Sequence, residues 1–249
     1  MEAPLHPPQP SDSAPPSSPD PMYWVTPRHL AGDDDALAER INDTLTGLGW
    51  HMWPTVHDTL LHVSPDELRA AEWCLSTSPF TLGGLRVALR ISARTDTDSA
   101  LVQWNAYFTT GVPHEALHDV LTALDATALP AVGFEPPEAV LEALTAQGWV
   151  REVDRPRSAA TDPGFAAHVS LEMLPEHIAD SDPREDLGWQ AWAEPTFGAP
   201  YLWCASFSPS VPHELVAHFA ASLASPAPVA RYRLPQSAAQ HLTIVHRDD

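Results

Sequence analysis

The feature that most constrains this chain is an ungapped internal repeat. Trp104, Ala106, Phe108, Val112, Pro113, His114, Glu115 and Leu124 return as Trp203, Ala205, Phe207, Val211, Pro212, His213, Glu214 and Leu223, each 99 positions later. That is eight identities across the 21 positions 104–124, far above chance. Leu45, Gly49 and Trp50 return as Leu144, Gly148 and Trp149 at the same offset. A fixed period marks a duplicated structural unit, so whatever fold the first half adopts, the second half must adopt too.

Each unit reads as α+β. A helix over 35–48, with Leu37, Ile41, Leu45 and Leu48 on one face, has a counterpart over about 136–147 carrying Val140, Leu141 and Leu144. Asp33 and Asp34 suit its N-cap, Pro137 suits the first turn of its counterpart, and Gly49 and Gly148 stand where a helix C-terminus needs positive φ. Strands are expected over 59–63, 68–75, 85–93 and 100–109, then over 166–174, 187–194 and 201–208, with a weaker one near Val150. Alternation puts Val102, Trp104, Ala106 and Phe108 inward, and likewise Trp203, Ala205 and Phe207, with Cys204 on the opposite face. A closing helix follows, with Leu117, Val120, Leu121 and Leu124 matched by Val216, Phe219, Ala220 and Leu223. The expected organisation is a Pro-rich arm (1–22), a first α+β domain (23–126), a linker (127–135), a second domain (136–225) and a tail (226–249). In that tail, 242–245 could add an edge strand. Each domain is expected to be an antiparallel sheet flanked by an N-terminal and a C-terminal helix.

Composition narrows the function classes. The 249 residues carry 33 acidic and 13 basic side chains, a net charge of −20. Every basic residue is Arg. Such a balance repels phosphate backbones, which disfavours nucleic-acid binding by non-specific charge. No 18-residue apolar run spans a membrane. No secretory signal is legible, so a cytoplasmic location and reduced thiols at Cys74 and Cys204 are expected. Eight of the 27 prolines fall in the first 21 residues, a composition that cannot offset the entropy of ordering. Met22 follows directly, leaving a start codon there as an alternative reading of the arm.

Taken in order, Trp24-Val-Thr-Pro-Arg-His-Leu-Ala-Gly32, the Leu-x-x-x-Gly-Trp helix end and Trp-x-Ala-x-Phe followed by Pro-x-Glu resemble the SPDY-domain family (domain of unknown function 317). That family occurs chiefly in Streptomyces and other actinobacteria, often with two copies per chain. The resemblance covers roughly residues 23–225. There are departures: the Ser-Pro-Asp-Tyr turn reads Ser64-Pro65-Asp66-Glu67 here, with Thr161-Asp162-Pro163-Gly164 in the second copy. Val112 and Val211 also stand where the family commonly has Thr or Ser. The resemblance implies the fold and the duplication, and implies no catalytic residue, cofactor or substrate.

One literal catalytic motif is present. His114-Glu115-Ala116-Leu117-His118 matches H-E-x-x-H, in which two histidines bind zinc and the Glu is general base. Glu135 or Glu138 has the spacing of a third ligand. Against this, the motif opens its helix, and Ala217 replaces His118 in the second copy. The retained Pro-His-Glu reads as a helix start, with Glu115 reaching back to cap it. His57, His62 and Asp58, and His241 with His246, have no recognised ligand spacing. Asp33–Asp35 and Asp96/Asp98 read as a cap and a loop before they read as a calcium site, and no cofactor is expected. The sequon at Asn42 falls within the expected first helix.

Trp50, Trp149, Trp104 and Trp203 are paired by the duplication and expected in the core. Trp24, Trp53, Trp73, Trp189 and Trp192 have no such pairing, and Trp53, Trp73, Trp189 and Trp192 are candidates for a partner surface. The expectation is therefore a non-enzymatic interaction or adaptor protein with a protein partner, favouring a basic one. The alternatives are a zinc-dependent hydrolase using 114–118, and a nucleic-acid-associated protein using Arg151/Arg155/Arg157 or Arg231/Arg233.

Overall fold

The computed structural model describes residues 22–55, 59–74, 80–99, 101–126, 137–172 and 187–245. Residues 1–21 of the Pro-rich arm, the linker, His57, Asp58, Glu135 and His246 lie outside them. The first half runs β1 (Tyr23–Thr26), α1 (Leu37–Gly47), β2 (His51–Pro54), β3 (Thr59–Val63), β4 (Arg69–Cys74), β5 (Thr81–Leu82), β6 (Leu85–Ala93), β7 (Trp104–Thr109) and α2 (His114–Ala126). The second runs α3 (Glu138–Thr145), β8 (Val150–Arg151), β9 (Ala159–Thr161), β10 (Ala167–Glu172), β11 (Gly188–Ala193), β12 (Trp203–Phe207) and α4 (His213–Leu223). β13 (Val229–Arg231) and β14 (Thr243–Val245) follow.

The two copies share one sheet. Its order is β2-β3-β4-β6-β7-β12-β11-β10-β9-β8, with β5 paired to β6 as a hairpin. All pairings are antiparallel, and the join is β7 with β12. Tyr107 lies opposite Ser206, the residue 99 positions on, and is flanked by Phe108↔Ala205 and Ala106↔Phe207. A pseudo-twofold axis therefore passes between Tyr107 and Ser206, and strands on either side correspond pair by pair. The helices obey the same symmetry: α1 packs on α2, α2 on α4 and α4 on α3.

The alternation that predicts β7 and β12 also builds the core. Trp104, Ala106 and Phe108 meet Trp203, Ala205 and Phe207 on the helix-covered face, in one cluster with the apolar stripes of all four helices. Phe108 and Phe207 meet edge to face at 5.4 Å across the axis, and Phe219 of α4 lies within 5.9 Å of both. Such pairs add specific geometry to area burial. Cys204 points to the other face, as its parity requires, into a small cluster with Leu82 and Val87. Val102 precedes β7 and is exposed.

Local signals held unevenly. Gly49 and Gly148 have φ of +81° and +88° and close α1 and α3, where a Cβ would be strained. Asp33 and Asp34 do not cap α1. Its N-cap is Ala36, while Asp33 accepts hydrogen bonds from the amides of Asp35 and Gly111. The divergent hairpin turns are physically alike: Glu67 and Phe165 both sit near φ +58°. Ser64 and Asp66 bind each other and Arg69 in one, whereas the Asp162 carboxylate accepts from three amides in the other.

The tail joins the beginning of the chain. β1 lies between β13 and β14 in a separate three-stranded antiparallel sheet. The stretch after β1 crosses to the second copy: the His29 carbonyl accepts from Trp203 Nε1 at 2.9 Å, and the His29 ring packs edge-on against Trp149. Arg28 Nη1 donates to Ser222 O and Oγ at 2.7 and 2.8 Å. No helix among the described residues is long and apolar enough to cross a membrane.

Because the central join is core to both copies, they should unfold together. Phe207→Ala is expected to cost about 3–5 kcal/mol, with one urea transition and equal loss of amide protection in β4 and β10. A second transition confined to one copy would show that the copies are independent.

Candidate functional site

The H-E-x-x-H segment starts α2, which packs between α1 and α4, so its polar side chains meet groups from three directions. Glu115 is engaged on both oxygens: Arg231 of β13 donates from Nη1 and Nη2, each at 2.7 Å. The Arg231 side chain is 0 % exposed, and its Nε also donates to the carbonyls of Ala31 and Gly32. This bidentate pair holds the Glu115 carboxyl below the usual carboxylate range despite its burial. Glu115 is thus the counter-ion of a buried guanidinium. It neither closes a capping box nor stands free as a general base.

The two histidines are likewise occupied by α1. Arg40 Nη1 lies within 2.9 Å of the His114 ring nitrogens, and a Glu115 oxygen is 3.3 Å from Nδ1. A guanidinium can only donate, so the ring accepts at one nitrogen and is neutral. Burial lowers its pKa to about 4; Glu115 opposes the shift and Arg40 adds to it. His118 Nδ1 is 3.1 Å from Thr44 Oγ1. Glu138 pairs with Arg151. Among the described residues no three His, Cys, Asp or Glu side chains are grouped to hold a metal.

These groups border a trough on the helical face. One half, of about 530 Å³, lies between α1 and α2 and includes Arg40, Thr44, His114 and Glu115. The other, of about 620 Å³, lies between α2 and α4 on the pseudo-twofold axis. Arg28, His118 and Asp119 border both. The second half is lined by residues related by the repeat: Asp119 and His218, Thr122 and Ala221, Ala123 and Ser222, Ala126 and Ser225.

The four candidate tryptophans do not form one surface. Trp189 is 1 % exposed, packed in the main core and edge-on to His213, so it is withdrawn as a surface residue. Trp73 is partly buried against that core. Trp192 lies on the sheet face away from the helices, stacked on His168 at 5.1 Å. Trp53 is 59 % exposed on β2. Six strand spacings separate Trp53 from Trp192, about 29 Å. Of the arginine candidates, Arg151, Arg155, Arg231 and Arg233 each face a carboxylate, while among the described residues Arg157 does not. Cys74 and Cys204 are free, and burial pushes the Cys204 thiol up to about 12.

Sequence reasoning missed Arg28, Arg40 and Asp119 as trough residues, and Arg231 as the partner of Glu115. Arg28 lies inside the opening signature, and the repeat pairs Asp119 with His218. No local pattern joins Arg231 to Glu115, 116 positions away.

Two outcomes follow. Arg231→Ala strands Glu115 and is expected to cost about 3–5 kcal/mol, read as a shifted urea midpoint; an unchanged midpoint would remove the pair from the account. The unfolded chain protonates His114 near its ordinary 6.5, while the folded chain resists until about 4. Stability therefore falls as pH drops from about 6.5 to 4, and His114→Gln should flatten that segment of the midpoint–pH curve.

Residues 63–131 and 171–229, together just over half of the chain, match the SPDY family, a domain of unknown function (DUF317). No curated protein and no solved structure matches. The Trp24–Gly32 signature lies outside the matched segments, which instead contain β7 with α2 and β12 with α4, the elements at the centre of the shared sheet. On those two matches, one on each side of the pseudo-twofold axis, the chain belongs to the SPDY (DUF317) family and carries its domain twice.

Proposed function

We propose that this chain is a non-enzymatic binding protein whose partner is a basic protein, encountered in the cytoplasm. The observation that carries this reading is the fate of the arginines. Arg40, Arg69, Arg90, Arg151, Arg155, Arg231 and Arg233 each lie against a carboxylate within the chain. The remaining acidic surplus, within a net charge of −20, has no internal counter-charge. Surplus of one sign steers and selects partners of the other.

Trp53 is the anchor this reading favours. It stands exposed beside exposed Met52 on β2, the strand that ends the shared sheet at the first copy. An edge strand offers unpaired backbone groups, and a neighbouring Trp supplies the apolar contact typical of interface hot spots. The hydrolase reading loses support because Glu115 and His114 are each engaged by a guanidinium.

The test begins with capture of a partner by the full chain from a native extract, followed by titration with the purified partner. Trp53→Ala is expected to weaken binding by about 2 kcal/mol or more, with an unchanged circular dichroism spectrum, and added salt should weaken binding further. A partner whose affinity ignores both Trp53 and salt would overturn the reading.

A further inference from the structure

The pseudo-twofold axis relates the two ends of the sheet face that the helices leave uncovered, and those ends are filled differently. Trp104 and Trp203 correspond by the repeat, and each lies opposite an alanine, Ala93 or Ala193. One strand further out, the cross-strand pair Ala70↔Ser92 is therefore the counterpart of His168↔Trp192. Val102 stands in the place of Tyr201, 99 positions on. In the second copy these three positions carry rings. His168 stacks on Trp192 at 5.1 Å and 13°, and Tyr201 meets Trp192 edge-on at 6.5 Å. In the first copy they carry a methyl, a hydroxymethyl and an isopropyl group.

The ladders are alike, so the volume that rings take in one copy is left as space in the other. A pocket of about 220 Å³ lies there, bounded by Ala70, Ser92 and Val102 together with Leu61, Val63 and Leu68. Each of these residues is at least partly exposed, Val102 by 41 %, so the pocket opens to solvent. Sites for drug-sized ligands run from about 300 Å³ upward, which makes this room for one side chain. These walls are apolar but for the Ser92 hydroxyl, and they suit an aromatic ring. Trp53 lies cross-strand from Leu61 and on the same face, so the pocket is continuous with the exposed anchor on β2.

Charge selects what accompanies the ring. Glu67 borders the pocket, and Asp96 and Asp98 are exposed in the loop that follows Arg94. Of the bordering arginines, Arg69 is paired with Asp66 and Arg94 donates through Nε to the Glu67 carbonyl. We propose that this pocket receives a tryptophan side chain from a basic segment of the partner protein. The indole takes the place that the Trp192 ring holds in the second copy, and flanking Arg or Lys side chains face Glu67, Asp96 and Asp98. A tryptophan seated in a pocket is a common interface hot spot. The inference rests on the basic-partner reading above and adds the side chain that the partner inserts.

The full-length chain, isotope-labelled in its Leu and Val methyl groups, reports on the pocket through Leu61 and Val63, assigned by their loss in Leu61→Met and Val63→Ile. The probes are a short peptide with one tryptophan between arginines, the same peptide with alanine for the tryptophan, and the same with glutamates for the arginines. The first is expected to move both resonances saturably, and the other two to bind about tenfold or more weakly. Ser92→Trp fills the pocket as the second copy fills its own, and Val102→Tyr closes it from an exposed position. Each should keep the circular dichroism spectrum and weaken the tryptophan peptide about tenfold or more; Val102→Tyr decides alone should Ser92→Trp fail to fold. Peptide binding that is lost in Trp53→Ala but ignores the pocket variants would overturn the pocket and leave the basic partner standing. Equal binding of the glutamate peptide would overturn the basic partner, and with it the occupant proposed here. Equal binding of the alanine peptide, or self-association of the chain that Ser92→Trp or Val102→Tyr abolishes, would also overturn the proposal, the latter by giving the pocket to a second copy.

Discussion

The pairing of β7 with β12 is the constraint on which the remaining architecture depends. Alone, each copy would end in a strand with unpaired backbone groups next to its core, an edge that invites association. Pairing the two last strands removes both edges with one ladder. Because the register centres on Tyr107 and Ser206, the same residues serve both sides, the economy of an isologous interface within one chain. α2 and α4 follow those strands directly, so they must meet across the axis, and α1 and α3 are left on the outside. Among the described residues the edges of the shared sheet are β2 and the two-residue β8.

A second constraint ties the chain ends to this frame. The N-terminal strand lies between two strands of the tail, and the residues after it pass to the second copy through Arg28 and His29. At the centre of this clasp Arg231 is wholly buried, with Glu115 and three carbonyls satisfying it. A buried ion pair is a modest source of net stability, because desolvation offsets its attraction. It favours closure of this segment on this helix, because separating the pair would leave each charge without its partner.

Periodic information was legible in the sequence and positional information was not. The β7 and β12 alternation, the helix stripes, the positive φ of Gly49 and Gly148 and the paired core tryptophans follow from neighbours a few residues apart, so local patterns report them. β2 and β9 went unread, being short and only marginally patterned. Trp189 was misplaced because an aromatic without a repeat mate carries no sign of its depth. The H-E-x-x-H match illustrates the same limit. Its spacing was visible, but the identity of the groups facing it depends on Arg40, Thr44 and Arg231, which lie on other elements.

By itself the sequence determined the duplicated unit, its α+β class, its family and an acidic surplus, since these reside in residue identity, spacing and composition. Tertiary structure alone decided that two copies form one sheet, that the tail joins the first strand, and that Glu115 is the counter-ion of Arg231 while Arg28 is held by Ser222. The physical reason is range. Backbone preferences and amphipathic periods act over a few residues along the chain, whereas ion pairs, strand partners and cleft walls are set by which distant segments the core brings within a few ångströms.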